Sequence, residues 1–331
     1  MKILVIQKKL MGDVLICSVV FKLLKQKFPE AKLHYLIDEK YLQVVEHHHY
    51  IDKFLFFDKS TLKTIKAVKA EKYDVVIDTY SKVETALIAF FSGASKRISY
   101  HKSYTKFLYT HPIQRRKVAL SELTTSTIEH RLQLLEPLGI PFEITKPEIY
   151  LTESEKKNAE TIIERFSDKT AKKVMISTFG SSAEKTYPMP FMKEIIEEVA
   201  TADVQILCNY LPSQKDQFLQ LYQSLSENAQ SKISKNFDTK NLREYIAVLS
   251  FCHALIGNEG GSTNISKALD VPTFTIFSPQ VSKKSWNWFD DGVKNDSVHL
   301  HDYLPDSEDY GDFQPHFFMD KLKYFITNNL K

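Results

Sequence analysis

The stretch Gly257-Asn-Glu-Gly-Gly-Ser-Thr-Asn-Ile-Ser-Lys-Ala-Leu269 decides the fold of this 331-residue chain. It lies between two apolar runs, at 254–256 and 271–277, so the order strand, turn, helix, strand predicts a parallel α/β unit. Three of the nine glycines of the chain lie within five residues here, and glycine lets a backbone approach a ligand closely. The helix that follows offers unpaired N–H groups, so the turn can hold a phosphate. A strand-to-helix turn without a ligand is the simpler alternative.

The composition is that of a globular protein with an ordinary hydrophobic core. Hydrophobic residues make up 43% of the chain and charged residues 26%, which is typical of soluble domains, and the length suits two of them. A net charge of +3 is too small to indicate nucleic acid, so we expect no such partner. Three widely separated cysteines form neither a disulfide framework nor a zinc motif, and they favour a reducing compartment.

The N-terminus predicts a buried strand. Its apolar run is too short for a signal peptide or a membrane span. We therefore expect a cytoplasmic protein, and peripheral contact with the inner leaflet of the inner membrane stays open.

Strands alternate with helices along the first half. The pattern predicts strands at 3–6, 33–37, 53–57 and 74–78, and helices at 14–27, 63–71, 84–91 and 128–135. The polar and basic segment 101–127 is expected to be a mobile loop or a substrate-facing insertion. Because no hairpin turns separate the strands, parallel pairing with helical crossovers follows.

The pattern restarts after a proline-bearing stretch and a charged helical segment at 153–167, which we interpret as a linker region. Strands are predicted at 173–177, 204–208, 254–256 and 271–277, and helices at 189–200 and 241–250. The fold class is therefore α/β with two Rossmann-like domains, 1–150 and 151–315, facing a central cleft. A C-terminal helix at 316–331 is expected to pack back on the first domain. Ligands in such sheets bind outside the carboxyl ends of the strands.

Two loops carry candidate chemistry. In the first, Gly12 permits a sharp turn and Asp13 begins a helix; Asp13 is either an N-cap or a carboxylate that takes a proton from a hydroxyl. In the second, Gly180 and Ser181 supply donors and Lys185 supplies a positive charge suited to a diphosphate. A solvated loop before a helix is the alternative for the second.

Three other polar clusters give weaker indications of a functional site. The triplet His47–His49 has no recognised ligand spacing, so we expect no metal. The acidic run 306–309 is typical of a solvated loop. The basic run Arg115-Arg116-Lys117 is either a solvated face or a patch for an anionic acceptor. Walker A, GxSxG and GxGxxG patterns do not occur at the expected positions.

A family resemblance extends along nearly the whole chain. The segments that carry it, in order, are 2–6, 11–14, 28–36, 50–52, 73–78, 130–131, 180–188 and 257–273. Together they resemble glycosyltransferase family nine, the ADP-heptose:lipopolysaccharide heptosyltransferases. An ordered set of this kind is more specific than any single motif.

The resemblance implies a GT-B fold and an inverting, metal-independent transfer of heptose from ADP-heptose to an inner-core sugar of lipopolysaccharide. It implies no cofactor other than the nucleotide-sugar co-substrate, and a lipopolysaccharide core or another glycan as acceptor. By the same resemblance, Asp13 is the catalytic base and Lys185 contacts the donor diphosphate. The expected donor-binding residues are Gly180, Ser181, Glu259, Gly260, Gly261, Ser262 and Asn264. The expected acceptor-binding residues are Lys9, Gly12, Arg115 and Arg116.

Some positions depart from the family pattern. Glu259 replaces a usual Asp, and Asn264 replaces a usual His. The segment 209–212, Asn-Tyr-Leu-Pro, stands where a glycine-rich turn is usual, and Gln7, Lys9 and Leu10 replace basic and serine residues. A different nucleotide-sugar donor or glycan acceptor is therefore an alternative, and so is a nucleotide-binding paralogue without activity.

Overall fold

The computed structural model describes residues 1–166 and 171–330. The chain divides into two compact units, Met1–Tyr150 and Leu151–Lys331. Each unit holds one sheet, and every strand pairing within each sheet is parallel. The prediction of two Rossmann-like parallel-sheet domains is confirmed.

The first unit contains a six-stranded sheet in the order β3-β2-β1-β4-β5-β6. Its strands and helices are β1 (Lys2–Ile6), α1 (Met11–Cys17), α2 (Val19–Lys27), β2 (Lys32–Ile37), β3 (Lys53–Phe56), α3 (Thr61–Ala70), β4 (Val75–Asp78), α4 (Val83–Phe91), β5 (Lys96–Tyr100), β6 (His111–Ile113) and α5 (Ser126–Gln133). Short 3-10 helices occur at Glu39–Val44, Lys106–Leu108 and Glu136–Leu138.

Two expectations for this unit are corrected. The segment 101–127, expected to be a loop, contains strand β6, and Pro112 fits there because β6 lies at the edge of the sheet. The predicted helix 14–27 is two helices that meet at Ser18, whose amide bonds to Leu15 only three residues back.

The second unit contains a five-stranded sheet in the order β11-β10-β9-β7-β8. Its elements are α6 (Glu153–Phe166), β7 (Lys172–Ser177), α7 (Met189–Val199), β8 (Val204–Asn209), α8 (Lys215–Ser224), α9 (Glu227–Lys232), α10 (Leu242–Leu249), β9 (Ala254–Asn258), α11 (Gly261–Ala268), β10 (Thr273–Phe277), α12 (Lys283–Trp286), β11 (Asn295–His299) and α13 (Met319–Leu330). The segment predicted as a charged helix at 153–167 extends one residue beyond the described range.

The C-terminal helix α13 packs in the core of its own unit. Leu322 and Phe325 lie in the same buried cluster as Phe274 of β10, and the rings of Phe274 and Phe325 are 5.6 Å apart. Lys321 also forms a 2.7 Å ion pair with Asp296 of β11. The buried face of this helix thus completes the second core, and the expectation that residues 316–331 pack on the first domain stays a prediction.

The order of strands fixes where loops gather. In the first sheet, the chain moves one way from β1 to β3 and the other way from β4 to β6, so the topological switch point lies between β1 and β4. In the second sheet, it lies between β7 and β9. Ligands of open parallel sheets bind outside the carboxyl ends of the strands at such points. Within residues 1–166 and 171–330, no helix has the length and apolarity to span a bilayer.

Candidate functional site

In the second unit, buried Asn258 holds the two switch-point loops together. Its Oδ1 accepts a hydrogen bond from the amide of Tyr187 at 2.7 Å. Its Nδ2 donates to the carbonyls of Ser177 and Thr178 at 3.0 and 2.9 Å. Because a buried amide with all these partners cannot shift without leaving polar groups unpaired, the loops after β7 and β9 are fixed relative to each other.

The glycines of the opening stretch have different roles. Gly257 has a φ of +127°, and a Cβ there would lie 2.5 Å from the Ser177 carbonyl oxygen, so this glycine serves close strand pairing. Gly260 precedes α11 and has open space on its Cβ side. The first turn of α11 can therefore be approached from outside, as a phosphate-binding helix N-terminus requires.

The loop after β7 folds back on itself around Gly180. A Cβ at this position would lie 2.3 Å from the Lys185 carbonyl oxygen. The Gly180 amide donates to Thr186 Oγ1 at 3.1 Å, and the Thr186 hydroxyl donates to the Ser182 carbonyl at 2.8 Å. Gly180 thus permits the tight fold that positions Lys185, while Ser181 is exposed in the same loop.

The structure brings Lys185 and Glu259 into electrostatic range. Burial raises the pKa of the Glu259 carboxyl, and the positive charge of Lys185 opposes that rise. Within the part of the chain that the structure describes, no carboxylate lies at ion-pair distance from Lys185 Nζ. The ammonium group can therefore turn toward a phosphate without breaking a salt bridge.

Tyr310 is a residue near this pair that sequence reasoning missed. Burial raises the pKa of its phenol, and the charge of Glu259 raises it further. The hydroxyl is buried and has no hydrogen-bond partner among the residues that the structure describes. Because Tyr310 lies about fifty positions after Glu259 in the printed sequence, no local motif signals that the two meet.

The segment 209–212, which departs from the family pattern, touches the start of α11. Asn209 Nδ2 donates to Ser262 Oγ at 3.0 Å. Tyr210 turns inward and stacks on Phe218, with ring centroids 4.3 Å apart, whereas Leu211 is exposed. Ser262 is thus held by β8, and this segment presents an amide and an aliphatic side chain in place of glycines.

Asn264 is engaged within its own unit. The indole Nε1 of Trp288 donates to Asn264 Oδ1 at 2.7 Å, and Asn264 Nδ2 donates to the Gly260 carbonyl at 3.3 Å. Trp288 is fully buried, and its carbonyl accepts from Lys267 Nζ at 2.7 Å. This geometry makes Asn264 a residue that positions Gly260. Sequence reasoning missed Trp288 and Lys267, since the contacts of Trp288 with Asn264 and with Lys267 depend on a loop about twenty positions further along the chain.

Lys267 is itself unusual because it is a buried lysine on α11. Burial lowers the pKa of its ammonium group from 10.5 to about 8, while the charges of Asp290, Asp291 and Asp296 act in the opposite direction. Its Nζ also donates to Asn287 Oδ1 at 2.9 Å. The helix that begins at the glycine turn is thereby tied to the segment around Trp288.

In the first unit, Asp13 is the third residue of α1. Its Oδ1 accepts from Arg131 Nη2 at 2.5 Å, and its Oδ2 accepts from the amide of Leu10 at 3.4 Å. Leu10, not Asp13, is the residue that precedes the helix, so the simple N-cap interpretation is wrong. The carboxylate instead takes the third helical position, where it still accepts from the N-cap backbone, and Arg131 fixes its orientation.

A chain of side chains leads from Asp13 to Arg115. Arg131 is buried and donates to the Thr127 carbonyl at 2.5 Å. Burial raises the pKa of Tyr100 to about 12, against the nearby positive charges of Arg131 and Arg115. The Arg115 guanidinium lies 3.9 Å from the centroid of the Tyr100 ring. The structure thus places one predicted acceptor residue, Arg115, beside the group that holds Asp13.

The other expected acceptor residues differ in whether their side chains are already bound within the first unit. Arg116 forms an ion pair with Glu136, and its amide donates to Gln133 Oε1 at 3.2 Å, so it serves the local structure. Lys9 is exposed, and Gly12 occupies the second position of α1, directly before Asp13.

Buried Gln7 ties the Asp13 loop to the sheet. Its Oε1 accepts from Thr79 Oγ1 at 2.7 Å, and its Nε2 donates to the carbonyl of Lys9. Since Thr79 directly follows β4, this contact joins the two strands that flank the switch point.

The side chains of His48 and His49 pack against their own unit. Burial lowers the pKa of His48 to about 4, and the ring of His49 lies 3.8 Å from that of Tyr150. Residues 1–166 and 171–330 contain no group of three His, Cys, Asp or Glu side chains arranged to hold a metal ion.

Comparisons with known proteins identify the family and the fold of this chain. The model of glycosyltransferase family 9 (heptosyltransferase) matches residues 61–299. Lipopolysaccharide heptosyltransferase 1 of Campylobacter coli is 22% identical over 306 residues, which is 86% of each chain. A putative glycosyltransferase of Haemophilus influenzae is 23% identical, covering 87% of this chain and 85% of its own. Lipopolysaccharide heptosyltransferase 3 of Escherichia coli is 23% identical, and the match covers 80% of this chain and 79% of that protein.

Solved structures show the same fold at 15% identity. A family 9 glycosyltransferase from Veillonella parvula superposes with a TM-score of 0.81 over 98% of this chain and 97% of its own. Escherichia coli ADP-heptose lps heptosyltransferase II gives 0.75 over 99% of each chain. Escherichia coli heptosyltransferase WaaC with ADP superposes with a TM-score of 0.70 over 98% of this chain and 99% of its own. The predicted GT-B fold is therefore confirmed, and, because the family model covers well over half of its length, this chain belongs to glycosyltransferase family 9, the heptosyltransferases.

Proposed function

We propose that this glycosyltransferase moves heptose from ADP-heptose to an inner-core sugar of lipopolysaccharide, with inversion and without a metal ion. The proposal rests on two features at one switch point: the open first turn of α11, and Lys185, whose ammonium group has no salt bridge to any residue that the structure describes. Both features suit a nucleotide diphosphate.

Residues of the second unit would bind the donor in the proposed reaction. Lys185 and the free N–H groups at the start of α11 would neutralise the charge that grows on the leaving diphosphate. These fixed positive groups would do what a divalent cation does in metal-dependent transferases. Gly180 and Ser181 would lie beside the phosphates, and Glu259 would accept from donor-sugar hydroxyls. The nucleotide sugar would be the only co-substrate.

Residues of the first unit would bind and deprotonate the acceptor. Asp13 would take the proton of an acceptor hydroxyl while that oxygen bonds to the anomeric carbon. The bond from the anomeric carbon to the diphosphate breaks on the opposite face, and its electron pair leaves with the nucleotide diphosphate. Arg131 would keep one carboxylate oxygen engaged and so fix the other one for the proton transfer. Lys9, Gly12 and Arg115 would meet the acceptor, an anionic glycan.

A second candidate is transfer from another nucleotide sugar. It rests on the segment 209–212, where an amide and an exposed leucine replace glycines, and on Asn264, whose amide is already engaged by Trp288. An inactive nucleotide-binding paralogue is a third candidate. The orientation of Asp13 by Arg131 argues against it, and so does Lys185, which has no salt bridge within residues 1–166 and 171–330. We also propose a cytoplasmic location, which suits the three free, buried cysteines.

A thermal-shift panel with ADP, UDP, GDP and CDP tests the donor proposal. Selective stabilisation by ADP supports it, because a ligand that binds only the folded state raises the melting temperature. Loss of that shift in Lys185→Ala, but not in the matched variant Lys284→Ala, would locate the diphosphate. Preference for another nucleotide would favour the second candidate, and binding without any turnover would favour the inactive paralogue.

A further inference from the structure

Positive charge is concentrated in one segment of the sequence of the first unit. Residues 85–121 contain no Asp or Glu and seven basic residues: Lys96, Arg97, Lys102, Lys106, Arg115, Arg116 and Lys117. The net charge of the whole chain is +3, so the remainder carries 3 − 7 = −4. Lys96 and Arg97 begin β5, at the opposite edge of the sheet from the loop that follows β6, and Arg116 is paired with Glu136. In that loop the exposed Arg115 and Lys117 outnumber the one acidic residue, Glu122, so the charge there favours an anionic surface.

The last part of this segment opens a loop that exposes apolar side chains. Residues 114–125 connect β6 to α5. Val118, Leu120 and Leu123 are 78%, 47% and 40% exposed, and Lys117 precedes them directly. Three exposed aliphatic side chains within six residues make a local apolar surface of the kind that marks an interaction site.

The loop is held by a built anchor. Glu129 of α5 is buried, and its carboxylate accepts from the amides of Leu120 and Ser121 at 2.9 and 3.1 Å. The hydroxyl of Thr124 donates to the same carboxylate at 2.7 Å. Since a buried carboxylate organises the loop backbone, the exposure of its aliphatic side chains follows from a defined conformation.

The loop lies at the edge of the sheet that carries Asp13. It follows β6, the Asp13 loop follows β1, and the carboxyl ends of parallel strands share one edge. Helix α5 also bonds to Asp13 through Arg131. Leu10, in the Asp13 loop, is another exposed aliphatic residue, at 61%.

We propose that loop 114–125 docks the first unit on an anionic lipid surface, with Val118, Leu120 and Leu123 entering the interface and Lys117 meeting headgroup phosphates. Aliphatic side chains beside lysine and arginine are the chemistry of interfacial membrane binding. Exposed aliphatic side chains do not suit nucleic acid, which is read by polar and aromatic groups. The purpose of the docking rests on the proposed function: it would bring Asp13 to a lipid-linked acceptor.

Vesicle co-sedimentation tests the docking without any transfer reaction. The full chain should bind vesicles of phosphatidylglycerol with phosphatidylcholine and should not bind phosphatidylcholine alone. The variant V118S/L120S/L123S should lose affinity about tenfold or more. Lys117→Glu should lose about fivefold, and its deficit should shrink as salt is added.

The matched control is L62S/I144S/V293S, which changes three aliphatic residues of 70%, 48% and 51% exposure elsewhere on the protein. It should bind vesicles like the wild type. A loop variant that binds equally well, a control that loses as much as the loop variant, or a chain that binds an oligonucleotide but no vesicle would each overturn the docking.

The test is separable from the proposed function. The loop variant should keep its thermal shift with ADP, which also shows that it is folded. Failure of heptose transfer by a chain that still binds vesicles through this loop would count against the proposed reaction and not against the docking.

Discussion

At the residue scale, a few side chains with defined partners would carry out the proposed reaction. Asp13 is oriented by Arg131, while Lys185 forms no salt bridge with the described residues and lies near Glu259. Asp13 and Lys185 could be selected from the sequence because each belongs to a local pattern of glycine and polar residues, and Glu259 could be selected through the family resemblance. Arg131 and Trp288 could not be assigned roles in that way, since each acts on a residue more than twenty positions away.

Replacing Asp13 by Asn keeps the size of the side chain and removes the base. We expect turnover to fall about 10²- to 10⁴-fold, because a neutral amide cannot take the proton of the acceptor hydroxyl. The shift in melting temperature with ADP should not change. Steady-state kinetics and a thermal-shift assay check both halves, and full activity in this variant would rule out the base assignment.

Replacing Lys185 by Ala removes the positive charge beside the leaving diphosphate. The turnover number should fall about 10²-fold and the donor KM should rise, since the charge acts in both the ground state and the transition state. Lys284→Ala, an exposed lysine of the same unit, is the control. Equal kinetics for the two variants would contradict the role of Lys185.

Replacing Trp288 by Phe removes the indole N–H that bonds to Asn264. The buried Asn264 Oδ1 then loses its donor, which we expect to cost about 1–3 kcal/mol of unfolding free energy. If Asn264 positions Gly260, the donor KM should rise more than the turnover number falls. Trp286→Phe is a matched control because Trp286 lies two residues away and is only partly buried. Urea unfolding and donor kinetics provide the comparison.

At the element scale, the strands with clear apolar runs were predictable and the others were not. Strand β11 reads Asn-Asp-Ser-Val-His, yet all five residues are buried. The polar side chains of this strand bind partners that are distant in the sequence, as Asp296 does with Lys321 of α13. Such pairing depends on the tertiary structure, so the local sequence does not predict it. Strand β6 was missed for a different reason, because three residues with a central proline carry no alternation.

Helices α6 and α10 are joined by a bidentate ion pair that makes stability depend on pH. Arg243 Nε and Nη2 donate to the two Glu155 carboxylate oxygens at 2.6 and 2.7 Å. Burial alone would raise the pKa of Glu155, but Arg243 and Thr152 outweigh it and lower that pKa from 4.5 to about 2.

Because the folded-state pKa is the lower one, the contribution of Glu155 is complete above pH 4.5 and is lost as the pH falls toward 2. We expect about 2–3 kcal/mol at pH 7. Glu155→Gln should be less stable at neutral pH, and its deficit should shrink at pH 3. A deficit that stays constant in urea unfolding at both pH values would contradict the ion-pair explanation.

At the scale of the whole molecule, the sequence predicted two parallel-sheet domains correctly, because strand–helix alternation restarts after the linker region. The sequence did not show that the apolar face of the C-terminal helix completes the second core, since an amphipathic pattern does not say which core that face joins. Each unit carries one half of the proposed chemistry at its own switch point, with the acceptor residues around Asp13 and the donor residues around Lys185.

The mass of the acceptor after incubation with ADP-heptose measures the proposed heptose transfer itself. The experiment uses the full chain, a lipopolysaccharide inner-core acceptor and EDTA, with the Asp13→Asn variant in parallel. We predict that the wild type adds one heptose to the acceptor in the presence of EDTA and that the variant adds none in the same time. Transfer from a different nucleotide sugar but not from ADP-heptose, or equal transfer by the two proteins, would contradict the account.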